Sequence, residues 1–240
     1  MNIKRVLTQI FFPPNFKCLV CGRELFADTR YFICPDCQEK LTRNVRYCAR
    51  CGRKSENDAR FCLECQNKEQ QFDKARAPFV YEGAVRQIVH KLKYGNGKYI
   101  ARPIAEFLAD TYIEQNMFVD LITFVPMNKK ARRERGYNQA EEIAKMLGVI
   151  LNLPVIATLE KTKNIPHLAK MKRSERAIAV EDAYEYIDKI NIKDKNVLLV
   201  DDVFTTGATA NACCGKLKRA KAQSVTVLTF ATAKITPELY

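Results

Sequence analysis

No run of about 18 or more apolar residues occurs in the 240-residue chain, so the sequence offers no segment long enough to cross a bilayer as a helix. The N-terminal stretch MNIKRVLTQIFFPP starts with basic residues, but its apolar part is interrupted by Thr8 and Gln9 and stopped by Pro13 and Pro14. No small-residue cleavage site follows, which makes it a poor export signal. Ile3, Val6, Leu7, Ile10 and Phe11 instead share one face of a short amphipathic helix expected to dock on the protein itself. So few cations accompany it that a membrane-surface role is disfavoured. Histidine is scarce as well: the chain has two, His90 and His167, both in segments with structural roles, so no general base stands out. A G-x-x-x-x-G-K-[ST] phosphate loop is missing, because Gly95-Asn96-Gly97-Lys98-Tyr99 lacks both the spacing and the hydroxyl. Without a recognisable helix-turn-helix, an effector-sensing transcriptional regulator is not favoured. Acidic residues are in deficit, 27 against 40 Lys and Arg, for a net charge of +13 and a pI near 9.3. Polyanions are therefore the expected partners: phosphorylated metabolites, nucleic acid or an acidic protein.

Cysteine is abundant. Eight of ten fall in four C-x-x-C pairs between Cys18 and Cys65, and the segment repeats internally, Cys18-Leu19-Val20-Cys21-Gly22-Arg23 returning as Cys48-Ala49-Arg50-Cys51-Gly52-Arg53. Each copy is closed by a second pair, Cys34 with Cys37 and Cys62 with Cys65. Such knuckles present two thiolates each to a tetrahedral zinc. The duplication predicts two ribbons in tandem, one zinc on Cys18, Cys21, Cys34 and Cys37 and one on Cys48, Cys51, Cys62 and Cys65, with interleaved pairing left open. Disulfides belong to oxidising compartments, and nothing here directs export; redox work needs one such pair, not four. A segment this short buries too little apolar area to fold alone, so metal supplies much of its folding energy. Four thiolates close each site and make it structural. Cys213 and Cys214 read as small buried fillers.

The stretch around which the chain is organised is Asn196 to Asn211, NVLLVDDVFTTGATAN. Val197 to Val200 form an apolar run of the kind that fills the middle of a parallel sheet. Ligand crevices lie beyond the carboxyl ends of such strands, where Asp201 and Asp202 fall. Neighbouring side chains alternate along a strand, so the two carboxylates are expected to do different jobs. Thr205, Thr206, Gly207, Ala208 and Thr209 follow, then a helical segment to about Lys221. Gly207 permits backbone angles closed to other residues, and the hydroxyls and orphan amides at the helix start can converge on a phosphate. The competing reading is an ordinary strand, turn and helix whose Asp and Thr residues only cap. The run resembles the phosphoribosyl pyrophosphate motif of type I phosphoribosyltransferases, in which two acidic residues hold the ribose hydroxyls and the threonine/glycine loop grips the 5-phosphate.

Before that motif, a polar stretch from Gln66 to Ala77 links or laces the ribbons to the second domain, placing a boundary near residue 70: 1–70 for the N-terminal helix and double ribbon, 71–240 for the phosphoribosyltransferase-like domain. Phe79 to Tyr81 reads as a strand, Ala84 to Tyr94 and Tyr99 to about Gln115 as helices, Asp120 to Pro126 as a buried strand, Ala140 to Leu151 as a helix and Tyr184 to Ile187 as a weak strand. This alternation predicts an α/β fold with a mainly parallel sheet flanked by helices. Two basic stretches, Asn128 to Gln139 and Glu160 to Arg176, come after strand ends and can reach the same end of the sheet as Asp201 and Thr205. Breaking the anomeric bond of phosphoribosyl pyrophosphate releases a highly charged group, and Mg2+ with Arg and Lys stabilises it. Lys129, Lys130, Arg132, Arg133 and Arg135 are candidates for that role or for single-stranded DNA, with Tyr137 close by as a ring able to stack on an unpaired base.

The paired zinc knuckles, Tyr81-Glu82-Gly83, Lys91-Leu92-Lys93-Tyr94, Val125-Pro126, Arg135-Gly136-Tyr137-Asn138-Gln139 and Val200-Asp201-Asp202 occur in the order typical of the ComF family, which the chain resembles along essentially its full length. These bacterial proteins join a zinc-ribbon front end to a type I phosphoribosyltransferase-like domain, the ComFC group being associated with natural transformation and the GntX group with DNA utilisation. The resemblance implies a cytoplasmic component that helps single-stranded DNA across the inner membrane, with phosphoribosyl pyrophosphate and a DNA-translocating helicase of the competence machinery as partners. Membrane association is expected only through such partners. A working phosphoribosyltransferase of nucleotide metabolism is the alternative, but no nucleobase pocket is identifiable. The chain also departs from the family in the second basic stretch, with His167 for a usual glutamine and Ala179 for a usual asparagine.

Overall fold

The computed structural model describes residues 17–25, 30–55, 59–94, 97–163, 180 and 182–235. The expected N-terminal helix and the family departures at His167 and Ala179 lie outside the described residues. The architecture is a parallel sheet flanked by helices, preceded by two cysteine ribbons. The sheet contains β1 (Lys74–Arg76), β2 (Phe79–Val80), β3 (Leu121–Phe124), β6 (Asn196–Phe204) and β7 (Ser224–Thr232). Its order is β1–β7–β6–β3, with β2 continuing the β1 edge of β7, and every pairing is parallel. Beyond β3 a bridge from Ile122 to Val155 extends it. The two central strands are buried along almost their whole length, which explains why both read as near-continuous apolar runs rather than alternating ones.

Helices cover both faces. The α3 helix (Gly83–Lys93) buries Val85, Ile88, Val89 and Leu92 at helical spacing, and a 3-10 turn (Gly97–Ile100) leads into α4 (Ala101–Glu114). Phe107 of α4 packs edge-on against Phe79, with ring centroids 4.9 Å apart, and Phe79 in turn meets Phe230 of β7. The α6 helix (Gln139–Leu151) packs on α4, β3 and β6. A Cβ on its Gly148 would lie 2.3 Å from Val155 Cγ2, so only glycine lets the chain return this closely. The α7 helix (Ala208–Arg219) makes the crossover from β6 to β7. No helix among the described residues is long and apolar enough to cross a membrane.

The ribbons are fastened to the sheet edge by backbone hydrogen bonds. Ala75 N donates to Arg50 O at 2.7 Å, Asn44 N to Pro78 O at 2.9 Å and Val80 N to Thr42 O at 2.9 Å. Tyr31 stacks on Phe107 at 4.0 Å, and Arg30 reaches Glu106 and Asp110 at 2.7 and 2.9 Å. Ribbon and sheet residues thus share one buried cluster.

Three elements differ from the sequence reading. Within the polar 66–77 stretch, residues 74–76 form β1, paired with Thr226 to Leu228; only Ala75 of the three is buried, so no apolar signature marks it. The first basic stretch, to which the sequence reading gave no element, holds a helix: Lys129–Arg135 forms α5, capped by Asn128 accepting from Ala131 N at 2.7 Å. Further on, β4 (Leu159–Lys161) and β5 (Tyr184–Tyr186) pair as an antiparallel ribbon off the main sheet.

Candidate functional site

The two cysteine clusters have the same construction. In each, the glycine amide bonds back to the first cysteine's carbonyl, Gly22 N to Cys18 O at 2.9 Å and Gly52 N to Cys48 O at 3.0 Å, with both glycines at positive φ. In each, the amide of the third cysteine donates to the first thiolate, Cys34 N to Cys18 Sγ and Cys62 N to Cys48 Sγ, both at 3.4 Å. Short helices follow, α1 (Pro35–Gln38) and α2 (Leu63–Asn67). The donor atoms of Cys18, Cys21, Cys34 and Cys37 lie within 4.8 Å of one another, as do those of Cys48, Cys51, Cys62 and Cys65. The pairing is tandem.

Cys21 and Cys34 Sγ atoms are 3.8 Å apart, as are those of Cys51 and Cys62. A tetrahedron of thiolates about 2.3 Å from zinc has edges of about 3.8 Å, whereas a disulfide holds sulfurs at about 2.05 Å. The geometry fits zinc and excludes disulfides. The repeats part company in their surroundings. Arg53 is buried, its Nε 3.5 Å from Cys51 Sγ and its Nη2 2.5 Å from Glu64, while its counterpart Arg23 meets Asp36 at 2.9 Å in solvent. A guanidinium aimed at thiolate sulfur offsets the charge of a four-thiolate site.

At the carboxyl end of β6 the adjacent carboxylates face different elements. Asp202 is buried and holds Lys93 Nζ, from the last turn of α3, at 2.7 Å. Asp201 Oδ1 accepts from Asp202 N at 2.8 Å, and its electrostatic neighbours include Lys161. Burial, and then the neighbouring charge of Asp202, push the Asp201 carboxyl up to about 8. Lys161 Nζ lies 5.1 Å over the Tyr184 ring, so the β4–β5 ribbon brings a cation and a phenol to this carboxylate. Burial pulls the Lys161 ammonium down and pushes the Tyr184 phenol up. On Lys93 burial acts downward, yet the Asp202 carboxylate outweighs it and the ammonium is raised.

The loop after β6 turns at Gly207, φ +81, the N-cap of α7. A Cβ there would sit 2.7 Å from Phe204 Cζ, so both dihedral and space require glycine. Thr205 and Thr206 are exposed, while Thr206 Oγ1 accepts from Ala208 N at 3.4 Å and Thr209 interacts with the Tyr184 phenol. Hydroxyls and first-turn amides therefore gather at the start of α7, a chemistry suited to a phosphate.

The α5 cations arrive at the same end of the sheet: Val125 N bonds to Val200 O at 3.0 Å, setting the start of α5 beside the β6 carboxylates. Its side chains are unequally committed. Arg132 pairs with Glu141 at 3.1 Å, Arg135 donates to Gln139 Oε1 at 2.7 Å, and Lys130 meets Glu134 at 4.0 Å. Lys129 and Arg133 are exposed. Tyr137 requires a correction, since it is 7% exposed and its hydroxyl donates to Leu92 O. A ring held inside cannot stack on a nucleic-acid base. The sequence reading placed Lys161 in a basic stretch able to reach Asp201 but assigned no role to Lys93 or Tyr184; their cation and aromatic types were visible, but their contacts with the β6 end are made only by tertiary packing.

Residues 7–66 match the double zinc ribbon domain and residues 133–239 the phosphoribosyl transferase domain. The chain is 25% identical to competence protein F of Haemophilus influenzae over 91% of its own length and 98% of that protein's. It is 27% identical to competence protein ComFC of Streptococcus pneumoniae, over 87% and 96%. Among solved structures, a purine phosphoribosyltransferase from Pyrococcus horikoshii Ot3 aligns with 58% of this chain and 79% of its own at 20% identity and a TM-score of 0.36.

Proposed function

We propose that this chain, which has the ComF-family order of a double zinc ribbon followed by a phosphoribosyltransferase domain, is a phosphoribosyl pyrophosphate-binding accessory protein of single-stranded DNA uptake. The observation that carries the reading is the end of β6, where two differently employed carboxylates run directly into a glycine-turned, hydroxyl-rich loop on the start of a 12-residue helix. Asp201 and Asp202 take the ribose hydroxyls. Thr205, Thr206 and Thr209, with the amides from Gly207 and Ala208 onward, hold the 5-phosphate. Mg2+ enters with the ligand and offsets its diphosphate charge. Lys93 leaves Asp202 for that charge once a ribose hydroxyl engages the carboxylate. The exposed α5 cations serve the diphosphate or the backbone of single-stranded DNA, and the four-thiolate zincs hold the ribbons against β1 and β2.

The names of the similar competence proteins support uptake rather than salvage as the process served. The protein acts in the cytoplasm, with a DNA-translocating helicase as its partner. The test is a deletion in a naturally transformable host, scored for entry of labelled DNA into the cytoplasm and for purine salvage. Loss of entry with intact salvage is expected. Intact entry with lost salvage would replace this reading by that of a working phosphoribosyltransferase.

A further inference from the structure

With Tyr137 inside the protein, the aromatic surface beside α5 is supplied by residues to which the sequence reading gave no binding role. Tyr94, the C-cap of α3, is 57% exposed, and Tyr99, in the 3-10 turn, is 54% exposed. Solitary exposed tyrosines are ordinary. These two are five positions apart, and Tyr94 sits in a built environment. The His90 ring lies 4.7 Å from that of Tyr94, and the Arg135 guanidinium lies 5.6 Å from the Tyr94 centroid. Arg135 is itself held by Gln139 at 2.7 Å, so it is a fixed plane rather than a loose cation. Gly97 closes the arrangement: a Cβ there would meet Lys91 O at 2.0 Å, so the turn carrying Tyr99 lies directly on the end of α3.

The surroundings are cationic. Helix α5 buries none of its residues, and Lys98, although paired with Glu142 at 3.1 Å, is 60% exposed. Lys93, next to Tyr94 in sequence, reaches Asp202, which places the tyrosines at the same sheet end as the β6 crevice. Flat, wet aromatic rings beside a cationic helix match a ligand with exposed π-faces and phosphates. Duplex DNA does not offer such faces; a single strand does.

We infer that Tyr94 and Tyr99, with Arg135, form a stacking platform for an unpaired nucleobase of single-stranded DNA, its phosphates running along α5. This rests on the DNA-binding part of the proposed function and adds where a base is held. A free nucleotide presents the same chemistry, and the measurement separates the two sources.

Fluorescence anisotropy is read at several salt concentrations with a labelled oligothymidylate and an abasic strand of equal length. The proteins are the parent, Tyr94→Leu with Tyr99→Leu, and Lys129→Ala with Arg133→Ala, each full length and checked for unchanged zinc content and melting. The tyrosine variant should bind oligothymidylate roughly 5- to 100-fold more weakly, with the parent's salt slope, and the abasic strand as the parent does. The α5 variant should lose affinity for both strands, its slope falling by about 0.7 for each phosphate interaction removed. A tyrosine variant that binds oligothymidylate like the parent overturns the platform and leaves DNA binding standing. A parent that binds neither strand overturns both. Because the chain has no tryptophan and ten tyrosines, tyrosine emission gives the last arm: thymidine monophosphate binding as tightly as the strand would assign the platform to a small acceptor instead of DNA.

Discussion

Arg23 and Arg53 occupy the same position in the two repeats, yet their replacement is expected to have very different consequences. The Arg53 side chain is 3% exposed, against 64% for Arg23. Arg53→Met takes the buried guanidinium away from the Glu64 carboxylate, 19% exposed, and removes a donor from Cys51 and Cys62. Breaking a buried pair by deleting one partner costs about 3 to 5 kcal/mol, whereas an exposed pair such as Arg23–Asp36 is worth about 0 to 1 kcal/mol. For a protein of this size each kcal/mol moves the melting temperature by about 2 to 4 °C, so Arg53→Met should lower it by roughly 6 to 20 °C and Arg23→Met by no more than about 4 °C. The second zinc should also pass more quickly to a chromophoric chelator in Arg53→Met, with the first unaffected. Thermal scans and chelator kinetics on parent and both variants provide the comparison. Equal effects of the two substitutions would refute the argument that burial, not the repeated local sequence, sets the importance of this arginine.

Metal analysis should find two zinc ions per chain, and Cys18→Ser or Cys48→Ser should each release one; a metal content near zero with native disulfides by mass spectrometry would contradict the zinc assignment. The raised Asp201 carboxyl gives a pH signature. Since its folded value of about 8 lies above the ordinary one, its contribution to stability is full below about pH 4 and is lost as pH rises toward 8. Chemical denaturation across that range should therefore show the parent weakening relative to Asp201→Asn, and parallel curves would argue against the shift. Gly207→Ala, forced into positive φ against Phe204, should lose about 1 to 3 kcal/mol together with phosphate-ligand affinity. Unchanged urea midpoints and ligand binding would show that the loop needs no glycine.

The parts of this fold legible in the sequence are those whose signals are local. The C-x-x-C knuckles announce their ligands because two thiolates on one turn have few other uses, and Val197 to Val200 running into Asp201 and Asp202 gives both a buried strand and its functional end. Tandem pairing was suggested by the repeat and is decided by the sulfur positions. Non-local features were not legible. Residues 74–76 become a strand only because β7 lies alongside, and Lys93 acquires its partner, Asp202, from a distant part of the chain. Tyr137 misled for the same reason: its basic neighbours suggested a surface, while packing against Leu92 placed it inside. Arg23 and Arg53 share a local sequence and differ only in what the rest of the chain packs over them.

Calorimetry of Mg2+-phosphoribosyl pyrophosphate against the parent and against Asp201→Ala with Asp202→Ala tests the central claim most directly. Removing a charge-assisted hydrogen bond costs about 1.5 to 3 kcal/mol, so the double variant should bind at least about 100-fold more weakly while keeping both zinc ions and its secondary structure. Equal affinity of parent and variant, or no binding to the parent, would contradict the assignment of the β6 crevice as the phosphoribosyl pyrophosphate site.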